Sequence, residues 1–202
     1  MRAAVAISMH ELPRADPADV DHQIQRLADR VRKRLRSRNV HAVLAHLHDV
    51  MFSEEGFAGN VDDYYNAKNS YLPIVLDTHR GIPISLTMLY KFVAERLGLP
   101  VEGVNAPGHF LARVVSRSER MLVDPFYGGR VMTDDEAFER IRQVTGQSIP
   151  PDKRLLKPAT HATWLARMLT NIQNIFAAEA RQKDLAAMVE LRGLLGTSRA
   201  GD

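Results

Sequence analysis

The chain of 202 residues contains no cysteine. That absence excludes a thiol nucleophile, a disulfide framework and any zinc or iron–sulfur centre built on thiolates, whatever the fold. Aromatic residues are scarce at 6%, and none interleaves the most basic stretch, so base stacking has no platform there. No apolar run is long enough for a membrane span. The opening stretch MRAAVAISMHELPRADP follows its short apolar run with charges and prolines and offers no leader-like cleavage site, so a cytoplasmic protein is expected. A phosphate loop, a dinucleotide-binding fingerprint and a zinc-binding helix motif are missing as well.

What is present is the composition of an ordinary folded protein: 45% hydrophobic and 25% charged residues, with a mean hydropathy of −0.23. The length suits one domain, or one domain with a small appendage. The net charge is +3, yet Arg26, Arg30, Arg32, Lys33, Arg34, Arg36 and Arg38 against Asp29 place +6 within thirteen residues, leaving about −3 elsewhere. The basic character is therefore one local stripe. It is a candidate contact for nucleic acid or another acidic partner, and otherwise a solvated helix face.

Residues 1–18 have Pro13 and Pro17 and no apolar period, and read as an irregular lead-in. Val20, Ile24, Leu27, Val31 and Leu35 then recur at helical spacing, followed by a second helix through Val43, Leu44, Leu47 and Met51 that ends before Gly56. Asn69-Ser70 offers N-cap chemistry for a short helix with Leu72, Val75 and Leu76. Pro83 opens a longer helix whose stripe is Leu86, Leu89, Tyr90, Val93 and Leu97, and Gly98 closes it. After Pro100 the period shortens: 101–104, 110–115 and 121–123 read as strands, Gly128-Gly129 as a turn, and Asp134 onward as a helix. Two helices follow between His161 and Leu195, with Trp164, Met168, Leu169 and Ile172 on the first stripe. The order predicts an α+β fold: a domain over 19–150 with its N-terminal helices, an αα-hairpin over 151–195 and a frayed tail at 196–202.

Arg80-Gly81-Ile82-Pro83-Ile84 at a helix start, Pro107-Gly108-His109-Phe110 entering a strand and Val123-Asp124-Pro125-Phe126 leaving the next form an order that resembles the transglutaminase-like superfamily core. The stretches GFAGNVDDYYNAKNSYLPIVLDTHRGIPISLTMLY, RLGLPVEGVNAPGHFLARV, VDPFYGGRVM and LLKPATHATWLARMLTNIQNIF resemble, more closely, the bacterial SirB-type proteins, over roughly residues 40–195. The resemblance implies an antiparallel sheet beside a central helix, as in papain-like cysteine proteases, and a Cys–His–Asp triad. His109 and Asp124 match the triad histidine and aspartate. The position of the nucleophilic cysteine falls on Pro83, which has no nucleophile to offer.

Two hydroxyls are close in sequence. Ser85 lies roughly 200° around the helix from position 83; Thr87 returns to about 40° from it but sits about 6 Å deeper. Neither is expected beside His109, although a cysteine-free hydrolase or acyltransferase using Ser85 or Thr87 with His109 and Asp124 is an alternative. The plainer reading of His109 and Asp124 is a buried pair joining two strands. A sharper one adds the helix N-terminus: the N–H groups of Ile84 and Ser85, with His109 and Arg80, would form a cleft open to an anionic group or a peptide terminus. The reading favoured is a non-catalytic module, a pseudoenzyme, that binds a peptide or protein partner through this vestigial cleft and its helical flanks. No cofactor is implied. No metal is either: His41, His46 and His48 fan out around a helix and are expected at the surface, and nothing in the spacing requires His79 to join His109 and Asp124 as a ligand set. The segment from Asn60 to Asp63 with Asn66 lacks the glycine and distal glutamate of a calcium loop and suits turn and cap duty.

Overall fold

A computed structural model describes residues 1–37, 39–116 and 119–197. Arg38 and most of the tail expected to fray, from 198 onward, lie outside the described residues. The chain begins with α1 (Arg2–Ser8), α2 (Pro17–Arg32) and α3 (Val40–His48), which runs on as a π-helical turn over Asp49–Glu54. Asp16 and Asn39 cap α2 and α3 by accepting the N–H groups of Ala18 and His41. The irregular lead-in expected over 1–18 is thus corrected. Ala4, Val5 and Ile7 of α1 are buried in the main core, and Pro17 sits in the first turn of α2. Seven residues are too few to display a helical period, and docking against the rest of the fold supplies what local propensity does not.

Next come β1 (Ala58–Gly59), α4 (Leu72–Thr78), β2 (Arg80–Gly81) and α5 (Pro83–Arg96). The two short strands pair in parallel, Ala58 with Arg80 and Gly59 with Gly81. Asn69-Ser70 does not cap α4, whose N-cap is Tyr71 without a side-chain bond. Asn66 instead caps a short 3-10 turn over Ala67–Ser70. The remaining elements are β3 (Val101–Val104), β4 (Leu111–Val115), β5 (Arg120–Asp124), β6 (Arg130–Met132), α6 (Asp134–Thr145), α7 (His161–Ala178) and α8 (Gln182–Thr197). The sheet is antiparallel in the order β3-β4-β5-β6, with Ala112 opposite Val123 and Asp124 opposite Arg130.

Alternation along the strands sends residues to two cores. Val101, Ala112, Val114 and Val123 join the main core with α5, whereas Val104, Leu111, Leu122 and Met132 join Phe138 and Ile141 of α6. Helix α5 lies at the centre. Every residue from Pro83 to Tyr90 is buried, so these first two turns are covered on all sides instead of along the single stripe expected. Trp164, Met168, Leu169, Ile172 and Phe176 of α7 belong to the same core.

Two contacts tie the last helices to the rest. Glu11 accepts from the Arg181 guanidinium at 2.6 Å and from the Tyr71 hydroxyl at 2.9 Å. Arg181 also binds Asp184, which is bonded to His10. On the sheet side, Trp164 packs on Phe110 with ring centroids 4.8 Å apart, and Gly103 of β3 leaves room for the indole. A Cβ at Gly103 would come within 2.4 Å of a Trp164 ring carbon and 2.8 Å of a Phe110 carbon. Gly103→Ala is therefore expected to destabilise the protein by about 1–3 kcal/mol through overpacking, measured by urea unfolding, and Trp164→Leu in the same chain should recover part of that loss.

Candidate functional site

His109 enters at the end of a turn in which its N–H donates to the carbonyl of Ala106 at 3.2 Å and Gly108 adopts a φ of +67°. Asp124 is the last residue of β5. The imidazole Nε2 and the Asp124 Oδ2 are 2.9 Å apart, with the histidine 3% exposed and the aspartate fully buried. The pair expected from the sequence is formed.

Asp124 has further bonds. Its Oδ1 accepts the N–H of Phe126 at 3.1 Å, and its carbonyl accepts the N–H of Gly129 at 2.9 Å. These bonds start and close a 3-10 turn over Pro125–Tyr127, which lays two rings against the imidazole. Phe126 meets His109 edge-on at 6.1 Å and Tyr127 is also at 6.1 Å. Tyr64 packs on Phe126 from the other side, and Gly59 lies so close to the Phe126 ring that a Cβ there would approach to 2.4 Å. Sequence reasoning missed a guanidinium beside the carboxylate. Arg140 of α6 brings its Nε to 3.8 Å from Asp124 Oδ2 and its guanidinium to 3.9 Å above the Tyr127 ring. The buried carboxyl group therefore lies between an imidazole and a guanidinium.

The two candidate hydroxyls are engaged elsewhere. Ser85 Oγ donates to the carbonyl of Asn69 at 2.6 Å and accepts the N–H of Ile82 at 3.1 Å. Thr87 Oγ1 donates to the carbonyl of Phe110 at 3.2 Å. Among the described residues neither makes a hydrogen bond with His109. Asn69, which the sequence suggested as a helix cap, is buried and holds the preceding loop: its amide donates to the carbonyls of Asp63 and Tyr64 and accepts from the side chain of Asn60.

The open cleft expected around Pro83 and His109 is corrected too, since both residues are buried. Ile84 is buried alongside them. Arg80 is not directed into that region; its guanidinium binds the carbonyls of Gly56 and His79. His79 bonds the Glu55 carbonyl and packs on Phe57, so it is not gathered with His109 and Asp124. Among the described residues no three potential ligand side chains are grouped to hold a metal.

Three cations of the basic stripe, Arg30, Arg32 and Arg34, are paired with carboxylates. Arg30 reaches Glu54 at 2.8 Å and also pairs with Glu55, Arg34 binds Glu54 at 2.7 Å and lies 3.6 Å from Asp49, and Arg32 pairs with Asp29. Asp49 and Glu54 come from the π-helical turn, and no local pattern in the chain places that turn beside α2.

Of the three histidines expected at the surface, His48 is half-buried. Its Nε2 is 2.9 Å from the Tyr90 hydroxyl of α5, and its ring stands against Phe52. Gly129 closes the turn beside both, where a Cβ would strike Phe52. This aromatic group supports α5 and the 125–129 turn from behind.

A helix buried at the centre, beginning at Pro83, and an antiparallel sheet delivering a hydrogen-bonded His–Asp pair from neighbouring strands define a transglutaminase-like core. The family model of the transglutaminase-like superfamily matches residues 18–170, and the chain belongs to that superfamily. It is similar to bacterial proteins. The UPF0162 protein of Xylella fastidiosa strain 9a5c is 36% identical over 181 residues, covering 88% of this chain and 64% of that protein. The UPF0162 protein of Pseudomonas aeruginosa is 30% identical over 193 residues, covering 94% and 70%. F-box only protein 21 of Homo sapiens is 44% identical over 84 residues, which cover 42% of this chain and 13% of that protein. The chain spans 64% of the length of the first curated relatives it matches. No solved structure matches. Among the described residues no helix is long and apolar enough to cross a membrane.

Burial pulls the His48 imidazole down to about 4. Above pH ~6.5 the ring is neutral in both folded and unfolded chains and contributes no pH dependence. Between pH ~6.5 and ~4 only the unfolded chain takes up the proton, so stability should fall with pH by up to about 3 kcal/mol. Urea midpoints measured across this window should fall less steeply in His48→Gln, whose amide can still meet the Tyr90 hydroxyl. Replacing the buried carboxylate by Asp124→Ala leaves the His109 ring and the Phe126 N–H without acceptors. It is expected to cost about 2–4 kcal/mol in the same measurement.

Proposed function

We propose that this chain is a transglutaminase-like module without a nucleophile, a SirB-type pseudoenzyme that works by holding a peptide segment of a partner protein. The observation that carries this reading is the commitment of every candidate nucleophile position. Pro83 has no reactive group, and the hydroxyls of Ser85 and Thr87 each donate to a main-chain carbonyl. Activating a hydroxyl requires its proton to face a base, and a proton given to a carbonyl is not available to an imidazole.

His109 and Asp124 then act as a structural pin. The carboxylate fixes the imidazole at the start of β4, starts the turn that brings Phe126 and Tyr127 over it, and is balanced by Arg140. Burying such a pair is stable only while each partner satisfies the other, which explains its retention without a reaction. Because Phe126 and Tyr127 cover the imidazole, recognition belongs to the outer rim of this region and not to its interior.

The reading is tested by treating the protein with an aryl fluorophosphonate and, separately, with p-nitrophenyl esters and glutamine-containing peptides. Intact-mass spectra with no adduct and no release above buffer are the expected result. An adduct on Ser85 or Thr87, or turnover, that disappears in His109→Ala would overturn it.

A further inference from the structure

Thr163, Arg167, Asn171 and Asn174 follow the N-cap Thr160 of α7 at spacings of three and four, so they share one face of the helix. This face forms a wall of two hollows. The first, of about 430 Å³, has Asn105, Ala106 and Pro107 opposite it and carries Arg154, Lys157 and Arg167 with no acidic residue in its lining. The second, of about 400 Å³, has Tyr64, Tyr65 and Ile82 facing Asn171, Asn174 and Ile175. Arg167 in the lining of the first hollow and Asn171 in the lining of the second are one helical turn apart on α7, so the two hollows follow each other along that helix as one trough. Its walls are continuous with the candidate site: Pro107 is two residues before His109, and Ile82 immediately precedes Pro83. The trough therefore runs along the outer rim of the covered region.

Three features define what fits. At one end, Arg167 donates Nη1 to the Asn105 side-chain oxygen at 3.0 Å, a neutral acceptor, and has no carboxylate partner among the described residues. Arg154, by contrast, is already paired with Asp152. In the middle, the side-chain amides of Asn171 and Asn174 make no hydrogen bond among the described residues, leaving donors and acceptors of the kind that pair with a peptide main chain. At the other end Tyr65 is 81% exposed, with its ring edge-on to Tyr64 at 5.3 Å, beside Ile175 and Ala178.

Resting on the peptide-holding reading above, we propose that this trough binds an extended peptide segment with a carboxylate at the Arg167 end and an apolar side chain at the Tyr64–Tyr65 end. Guanidinium and carboxylate match in charge and in planar geometry. Seven residues separate Arg167 from Asn174, about 10 Å along the helix axis. An extended chain covers that length in about three residues, so the carboxylate and the apolar side chain stand three or four positions apart. The carboxylate belongs either to an Asp or Glu side chain or to a peptide C-terminus.

The test uses the full chain and a set of fluorescein-labelled octapeptides. Each carries one Leu or Phe and one carboxylate at separations of one to six residues, the latter supplied as Glu with an amidated end or as a free C-terminus. Fluorescence anisotropy is expected to detect binding that peaks at separations of three and four, and the Glu and free-acid series identify the source of the carboxylate. Arg167→Gln should weaken the best peptide about tenfold, and Asn171→Ala with Asn174→Ala together by about as much. Lys33→Gln, at an exposed position of the basic stripe, should leave it unchanged, with circular dichroism melts confirming that each variant is folded. A peptide that binds the wild type and the trough variants equally well places the ligand elsewhere. It overturns the trough while leaving the non-catalytic binding reading intact. Cleavage or transfer of a bound peptide overturns that reading and leaves the trough standing. No binding by any peptide up to about 1 mM, or Arg167-dependent binding of a single-stranded oligonucleotide alone, overturns the proposal.

Discussion

A helical stretch covered on every side can carry hydroxyls only where neighbouring backbone accepts from them, and the first two turns of α5 live under that constraint. Leaving either hydroxyl unpaired would cost about 1–3 kcal/mol in the interior. Ser85 meets it through the carbonyl of Asn69, which in turn grips the 60–66 loop. Thr87 meets it through the carbonyl of Phe110, the residue after His109. The two side chains that most resemble spare nucleophiles are therefore the fastenings by which a loop and a strand are fixed to the central helix. The His–Asp pair is positioned by the same assembly, and its covering by Phe126 and Tyr127 follows from the Asp124 cap of the next turn.

Electrostatics is distributed differently from what a linear count of charges suggests. Within the most basic stretch of the chain, Arg30 and Arg34 face Asp49 and Glu54 of the π-helical turn and Glu55 just after it, so part of that charge is met inside the fold. A dense run of arginine can thus signal an intramolecular interface between two helices. Arg167, without a carboxylate partner among the described residues, sits in a helix that reads in sequence as a mainly apolar stripe, and only its neighbours in space make it conspicuous.

Much of the architecture was legible where punctuation and period agree. Pro83 opening α5, Gly56 and Gly98 at positive φ, and the strands bracketing 116–120 all follow from local chemistry. The pairing of His109 with Asp124 was legible as well, through resemblance and not through spacing alone. What escaped notice depends on contacts between distant segments. Helix α1 is too short to display a period, and Asn69 looks like a cap until the loop it holds is in place. Arg140 becomes relevant only when α6 folds across the sheet to Asp124, and His48 is one of three similar histidines until Tyr90 comes beside it. The supposed open cleft failed for a related reason: nothing in Pro125-Phe126-Tyr127 announces that its rings fold back over the imidazole of His109.

The junction of Glu11 with Arg181 closes a loop of 170 residues, and Tyr71 and Asp184 complete it from two further segments. Closing so long a loop costs chain entropy that no local contact repays, so such a junction forms late. During synthesis Glu11 leaves the ribosome long before its guanidinium partner has been made, and the Tyr71 hydroxyl waits with it. The early helices must then hold their arrangement without it, on apolar contacts and their own polar pairs such as Arg34 with Glu54, and the ionic clasp acts as a final latch that registers when the α7–α8 hairpin has arrived.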